Sequence, residues 1–261
     1  MDAIVTAGGQ TRPEDPLFPY TQGGHKALMD VDGKPMAQWM LDALGGSAKV
    51  DRVVLTGLPE SCGLTCAKPL TFVPDQGSML DNLEAGTKEL LKVNPQHRQV
   101  LAVSSDVPGV KTEMIDWLIE TIQKTDLDIY YNIIPREVME KRYPGSRRTF
   151  THVKGAVFTG GDVNAINTRV FSAESPLWGK IIEARKSPIK QAGLVGFDIV
   201  FLLLIRQITL EWAVKNITKR LGVTGQAIIC PYAEMGMDID KPHQLEMMRA
   251  DLNRQLTSPK S

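Results

Sequence analysis

The sequence predicts an α/β protein: a mostly parallel sheet with helices packed on both faces. Two observations predict it. Apolar runs of strand length recur through the chain, and segments with apolar residues at helical spacing lie between several of them. Strand, helix, strand, helix in that order calls for crossover connections, which run over the faces of a parallel sheet and cover it. With 261 residues, 43% hydrophobic and 23% charged, the chain is long enough to bury a large core.

The strand candidates are "AIVTA" (3–7), "RVVLTG" (52–57), "LTFVP" (70–74), "QVLAVSSD" (99–106) and "DIYYNIIP" (128–135). The first helix, "KPMAQWMLDAL", has Pro35 near its start, and Met36, Met40, Leu41 and Leu44 form one apolar face. "SMLDNLEAGTKELLKV" and "TEMIDWLIETIQK" repeat the pattern, the latter with Thr112 as N-cap and Glu113 in the first turn. The second half departs from this rhythm. A polar, basic stretch over 136–166 carries extended-looking pieces separated by Gly and Pro, and helices are expected near 176–186, 199–206 and 209–221. A last strand, "GQAIICP" (225–231), leads through "YAEMGMDIDKPHQLEMM" to a C-terminal helix. No repeat or long linker divides the chain, so a single domain over 1–261 is expected, elaborated at about 136–222.

Thirty basic residues balance thirty acidic ones. No global positive field therefore points to nucleic acid, and any recognition of phosphate must be local. Cys62, Cys66 and Cys230 are too few and too irregular for a disulfide framework, and nothing near "CGLTC" completes a zinc site. The start of the chain has no basic segment followed by a long apolar core, so the chain reads as cytoplasmic. Its most apolar stretch, "LVGFDIVFLLLIRQITL" (194–210), carries Asp198 and Arg206, so stable membrane insertion is not expected. The helical segment 199–221 is open to three uses: packing on the core, forming a homo-oligomer interface, or shaping a site for an apolar acceptor.

Ligands of open parallel sheets collect at the carboxyl ends of the strands. The first strand delivers Ala7, Gly8 and Gly9 to that edge, where glycines let backbone N–H groups approach a base or phosphate. The spacing is neither a dinucleotide fingerprint nor a Walker A loop, and taken alone the Gly-Gly pair reads first as a simple turn. Beyond it, a loop holding Arg12 and ending at Lys26 can fold over a polyphosphate. Arg offers a planar fork, and Lys a mobile point charge for an oxygen that gains negative charge during reaction. In "VLAVSSDVP", Asp106 ends an apolar strand and is followed two residues later by Pro108, which places a carboxylate at the same edge. Near the other end, "MDIDKPHQL" supplies Asp238 and Asp240, on one face if extended. Carboxylates converging there would repel one another unless a hard cation such as Mg²⁺ neutralised them.

Four blocks, in this order and spacing, resemble the nucleotidyltransferases of the molybdenum-cofactor guanylyltransferase (MobA-like) type, within the wider superfamily of sugar-phosphate and related NTP transferases. They are "AIVTAGGQTR", "HKALMDVDGKPMAQWMLDAL", "SSDVP" and "DIDKPHQL". The resemblance implies a three-layer Rossmann-like, GT-A-like sheet and a chemistry in which an acceptor attacks the α-phosphorus of an NTP and releases pyrophosphate. It assigns Arg12 and Lys26 to the triphosphate, Asp106 to Mg²⁺, and Asp240 to the second metal ligand with Asp238 as alternative or partner. Gln76 and Gly77 fall where relatives contact base or ribose. Gly160, Gly161 and Asp162 fall where they line the acceptor pocket, with Arg147, Arg148 and Lys154 as candidates for an acceptor phosphate or as a solvated face.

Two departures stand out. Gln10 replaces the family's second loop glycine and the loop to Lys26 is longer, while "KPHQL" lacks the acidic residues usual after its proline and offers His243 there. The expected activity is Mg²⁺-dependent transfer of an NMP to a phosphorylated small molecule. A GT-A glycosyltransferase using a sugar nucleotide, or a nucleotide-binding regulatory module without turnover, are the alternatives. The first would normally carry D-x-D at the end of a central strand, and the second would have no use for an α-phosphate clamp.

Overall fold

The computed structural model describes residues 1–172, 175, 177 and 207–257. The chain enters through β1 (Asp2–Thr6), in which Ala3, Ile4 and Val5 are fully buried. Burial on both faces is why β1 reads as an unbroken apolar run. The proline-rich loop that follows holds a four-residue helix, α1 (Phe18–Thr21), and its ends are tied together. Gln10 bridges to His25, and the Thr11 N–H donates to the Gly24 carbonyl at 3.1 Å. Closed at its base and anchored by the buried Leu17, the insertion leaves the sheet edge undisturbed.

A short hairpin, β2 (Asp30–Val31) with β3 (Lys34–Pro35), leads into α2 (Met36–Gly46). Then come β4 (Arg52–Thr56), β5 (Leu70–Val73), α3 (Met79–Val93), β6 (Gln99–Ser104) and α4 (Thr112–Ile122). Ser78 caps α3, its hydroxyl accepting the Asp81 N–H at 3.2 Å. Thr112 does not cap α4. Lys111 holds that position, and the Thr112 hydroxyl instead donates to the Ala43 carbonyl at 2.9 Å, joining α4 to α2.

Alternate residues of the central strands sort into two cores, as the period of a strand requires. Ala3, Val5, Val53, Leu55, Leu101 and Val103 pack with α2 and α4, whereas Ile4, Val54 and Val100 pack with Leu83 and Leu90 of α3. The sheet is thus the middle of three layers.

The second half contains β7 (Ile129–Pro135), α5 (Arg136–Arg142), β8 (Thr151–Val153), β9 (Ala156–Gly160) and β10 (Val163–Asn167), then α6 (Leu210–Leu221), β11 (Gly225–Ile229) and α7 (Pro242–Thr257). The nine-stranded sheet runs β5-β4-β1-β6-β10-β7-β9-β8, with β11 also paired to β7. Only β9 and β10 run against the other seven strands, by the pairing directions. The expectation of extended pieces over 136–166 needs one correction, because Arg136–Arg142 is helical. Glu137 in its first turn and Lys141 and Arg142 in its last suit the helix dipole, and Met139 is buried. The helix expected near 209–221 is α6; those near 176–186 and 199–206 lie outside the described residues. Among the described residues, no helix is long and apolar enough to cross a membrane.

Gly57 couples this framework to the sheet's carboxyl edge. It has φ +103°, and a Cβ there would fall on the backbone of Gly8. Gly57→Ala should therefore destabilise the fold by about 2 kcal/mol or more. Denaturant unfolding checks this, and a variant within about 0.5 kcal/mol of wild type would contradict it.

Candidate active site

At that edge a cleft of about 280 Å³ opens between two walls. One wall is the Gly8–Gly9 turn with the start of α3. The Asp75 carboxylate accepts from the Asn82 side chain at 2.8 Å and from the Gly77 N–H at 3.1 Å, and the Asn82 oxygen accepts the Gln76 N–H at 2.9 Å. These hydrogen bonds, that of Asn82 foremost, hold the Asp75 carboxyl below its ordinary range. A Cβ on Gly8 would lie 2.7 Å from Asp75 Oδ1, so only glycine lets the turn pack against this pair.

The other wall carries the charges. Lys26 Nζ donates to Asp106 Oδ2 at 2.7 Å and to Asp240 Oδ1 at 2.6 Å, and Ser104 Oγ donates to Asp106 Oδ1 at 2.6 Å. The Ile239 N–H donates to the Asp106 carbonyl at 3.1 Å, which pins the C-terminal segment to the end of β6. One oxygen from each of Asp106, Asp238 and Asp240 lies within 4.8 Å of the others. Asp238 forms an ion pair with Arg148. Burial disfavours the Lys26 ammonium, but the attraction of Asp106 and then Asp240, with their hydrogen bonds, outweighs it and holds the Lys26 pKa above its ordinary value.

Asp162 is wedged beside this cluster. Its N–H donates to the Met235 carbonyl and its own carbonyl accepts the Ser104 N–H, each at 2.8 Å. One of its carboxylate oxygens is buried without a hydrogen-bond partner. Burial, and next the negative charge of Asp106, push its pKa up to about 7. An acid whose pKa is higher folded than unfolded binds more protons in the native state, so stability falls as pH rises between the two values. Without added metal, the melting temperature should decline as pH rises from about 4 to about 7 and level off above, and a divalent cation should flatten the decline. A melting temperature that rises over that interval in metal-free protein would contradict this.

The sequence matches the model of the MobA-like NTP transferase domain over residues 3–156, more than half of the chain. The chain belongs to this family. It is thus a nucleotidyltransferase, with the matched part ending at Ala156, the first residue of β9. No curated protein matches the sequence. Among solved structures, a hypothetical transferase from Thermus thermophilus is 29% identical with a TM-score of 0.77, over 94% of this chain and 98% of that one. A CMP:2-keto-3-deoxy-manno-octonic acid synthetase complexed with CTP superposes at 0.59 with 15% identity, covering 97% and 99%. A 4-diphosphocytidyl-2C-methyl-D-erythritol synthase from Anaerococcus prevotii superposes at 0.57 with 13% identity, covering 97% and 98%. At these identities the last two show the shared α/β fold.

Of the site residues that the sequence pointed to, Gly8, Gly9, Gly77, Lys26 and Asp106 line the cleft. Asp240 reaches it through Lys26, and Asp238, Arg148 and Asp162 adjoin it. Others do not line it. The Ala7 N–H is used by the Thr56 carbonyl, and the Gln76 side chain donates to the Pro74 carbonyl at 2.7 Å. Arg12 starts a tight turn closed by the Asp15 N–H on its carbonyl, which leaves its side chain in solvent. Arg147 and Lys154 are exposed. Gly160 and Gly161 have packing reasons to be glycine: a Cβ would meet the Tyr131 hydroxyl at the first and lie 2.8 Å from Asn132 Cβ at the second. His243 faces the Ser146 carbonyl at 3.1 Å.

Sequence reasoning missed Asp75, Asn82, Ser104 and Ser105, all of which line the cleft. Asp75 carried a readable signal, since it follows a strand in "FVPDQG" as Asp106 does in "AVSSDVP". Asn82, a polar residue buried in the first turn of an amphipathic helix, carried another.

Proposed function

We propose that the protein moves an NMP from an NTP to a phosphorylated small-molecule acceptor, with Mg²⁺ and release of pyrophosphate. The observation that carries this reading is the Lys26 ammonium held between Asp106 and Asp240, across a cleft from the Gly8–Gly9 turn. The donor set suits the metal. Asp106, Asp162, Asp238 and Asp240 face two cations, Lys26 and Arg148, leaving an excess of negative charge that a hard divalent cation would cancel. Asp106 and Asp240 are assigned as its principal ligands, with Asp238 as their partner. Bound there, Mg²⁺ would neutralise these carboxylates and the triphosphate oxygens.

The chain's own groups account for the rest. Gly8 and Gly9 present backbone at the nucleotide, and the fixed Asp75–Asn82 pair gives the nucleoside end a rigid wall. Lys26, relieved of its carboxylates, turns its ammonium to the α-phosphate, where charge builds as the acceptor oxygen bonds to phosphorus and the bond to the pyrophosphate oxygen breaks. An acceptor phosphate is already a nucleophile and needs no base. Arg148 and Asp162 stand on the acceptor side, within a single domain over 1–261 whose acceptor half covers about 136–222.

The test is pyrophosphate release from each of the five common NTPs, with Mg²⁺ and a panel of phosphate monoesters. Release that needs NTP, metal and acceptor together supports the reading. Turnover of a sugar nucleotide without pyrophosphate would replace it with glycosyl transfer.

A further inference from the structure

A second cavity, of about 270 Å³, lies between α6 and the face of β7 and β11 that α6 covers. Its walls are almost wholly apolar, with Ile129 and Ile133 from β7, Val153 from β8, Phe158 from β9, and Val214 and Ile217 from α6. Three of the six large hydrophobic side chains exposed among the described residues, Tyr131, Trp212 and Ile229, belong to β7, α6 and β11. Of these, Tyr131 lines the cavity and Ile229 pairs in register with Ile133, which lines it too; exposed apolar surface grouped in this way marks a ligand or partner site.

Tyr131 joins the cavity to the charged site. Its ring lines the cavity, and its hydroxyl lies against Gly160, two residues before Asp162. The phenol is near enough to Asp162 and Arg148 for the first to oppose and the second to favour its ionisation, though loss of water around its hydroxyl end is the larger influence in raising its pKa. Arg148 in turn pairs with Asp238 of the carboxylate cluster. The order from the cleft outward is therefore carboxylates and Lys26, then Arg148 and Asp162, then the amphipathic Tyr131, then the apolar cavity. An aromatic ring with one wet and one dry end suits such a boundary.

We propose that this cavity holds the apolar portion of the acceptor, an alkyl or isoprenoid-type phosphate monoester whose phosphate is received at Arg148. The assignment rests on the nucleotidyltransferase reading of the adjoining cleft. It accounts for an apolar cavity next to a polar site, which an all-polar acceptor would leave unused.

The experiment is calorimetric titration of the wild-type protein with inorganic phosphate and with butyl, hexyl and octyl phosphate, below their aggregation limits and without nucleotide. Affinity should rise about fourfold for each methylene that becomes buried. Val214→Phe, which fills the cavity, should abolish the dependence on chain length, and Arg148→Gln should weaken every phosphate ligand while sparing 1-octanol. Equal affinity from butyl to octyl phosphate in the wild type would overturn the proposal, as would a dimer in sedimentation that buries this face and excludes alkyl phosphates. The melting shift with NTP and Mg²⁺, recorded on the same samples, separates the two claims. A flat series with an intact nucleotide response removes the acceptor assignment alone, whereas a rising series with no nucleotide response keeps the amphiphile site and removes the nucleotidyltransferase reading.

Discussion

Lys26→Ala should lower turnover by a factor on the order of 10²–10³, as removal of a preorganised group at a developing charge does elsewhere, while the protein stays folded. The same variant should bind a divalent cation more tightly than wild type when no nucleotide is present. Lys26 donates to Asp106 at 2.7 Å and Asp240 at 2.6 Å, so in the resting protein it competes for the oxygens that would ligate the metal. Its removal leaves those carboxylates facing one another with nothing between them. Titration with Mn²⁺, followed by calorimetry, reads the affinity independently of turnover. Unchanged turnover would remove Lys26 from the chemistry, and weaker metal binding would mean that Lys26 organises the carboxylates.

Asp106→Asn should cost more. Its carboxylate receives Lys26 on one oxygen and Ser104 on the other, and its backbone carbonyl fastens the segment that bears Asp238 and Asp240. The substitution keeps shape and backbone but removes the charge, so activity should fall by roughly 10³ or more and metal binding should be lost with it. Asp240→Ala should act in the same direction but less, because Asp240 is about half exposed and more open to water. A normal metal titration in Asp106→Asn would place the metal elsewhere in the cluster. Circular dichroism and melting curves for both variants separate loss of metal from loss of fold.

Much of the site was legible because it sits where strands end. An apolar run followed by Gly-Gly, and another followed by Asp and Pro, fixed β1, β6 and their shared edge without any tertiary information. The convergence of Asp106 with Asp238 and Asp240 was legible as carboxylates expected at one sheet edge and was sharpened by the family pattern, whereas the backbone bond from Ile239 to Asp106 that fastens them leaves no trace in local periodicity. Arg12 lies off the cleft wall, which charge type alone does not reveal; the Gln10–His25 bridge and the Arg12–Asp15 turn set its side chain in solvent. The helical Arg136–Arg142 was hidden among charges and prolines. What holds it is tertiary, since Arg142 donates to Glu234 at 2.7 Å and to Asp251 at 2.8 and 2.7 Å. Asp75 and Asn82 were overlooked because their pairing across a loop and a helix start gives each a partner that sequence spacing alone does not name.

Metal-dependent nucleotide binding in this cleft is the central claim, and a melting-temperature screen of ATP, GTP, CTP, UTP and dTTP, with and without Mg²⁺, tests it most directly. The expected result is a Mg²⁺-dependent rise with at least one NTP that disappears in Asp106→Asn. No rise with any NTP, together with a rise on adding a sugar nucleotide, would contradict it.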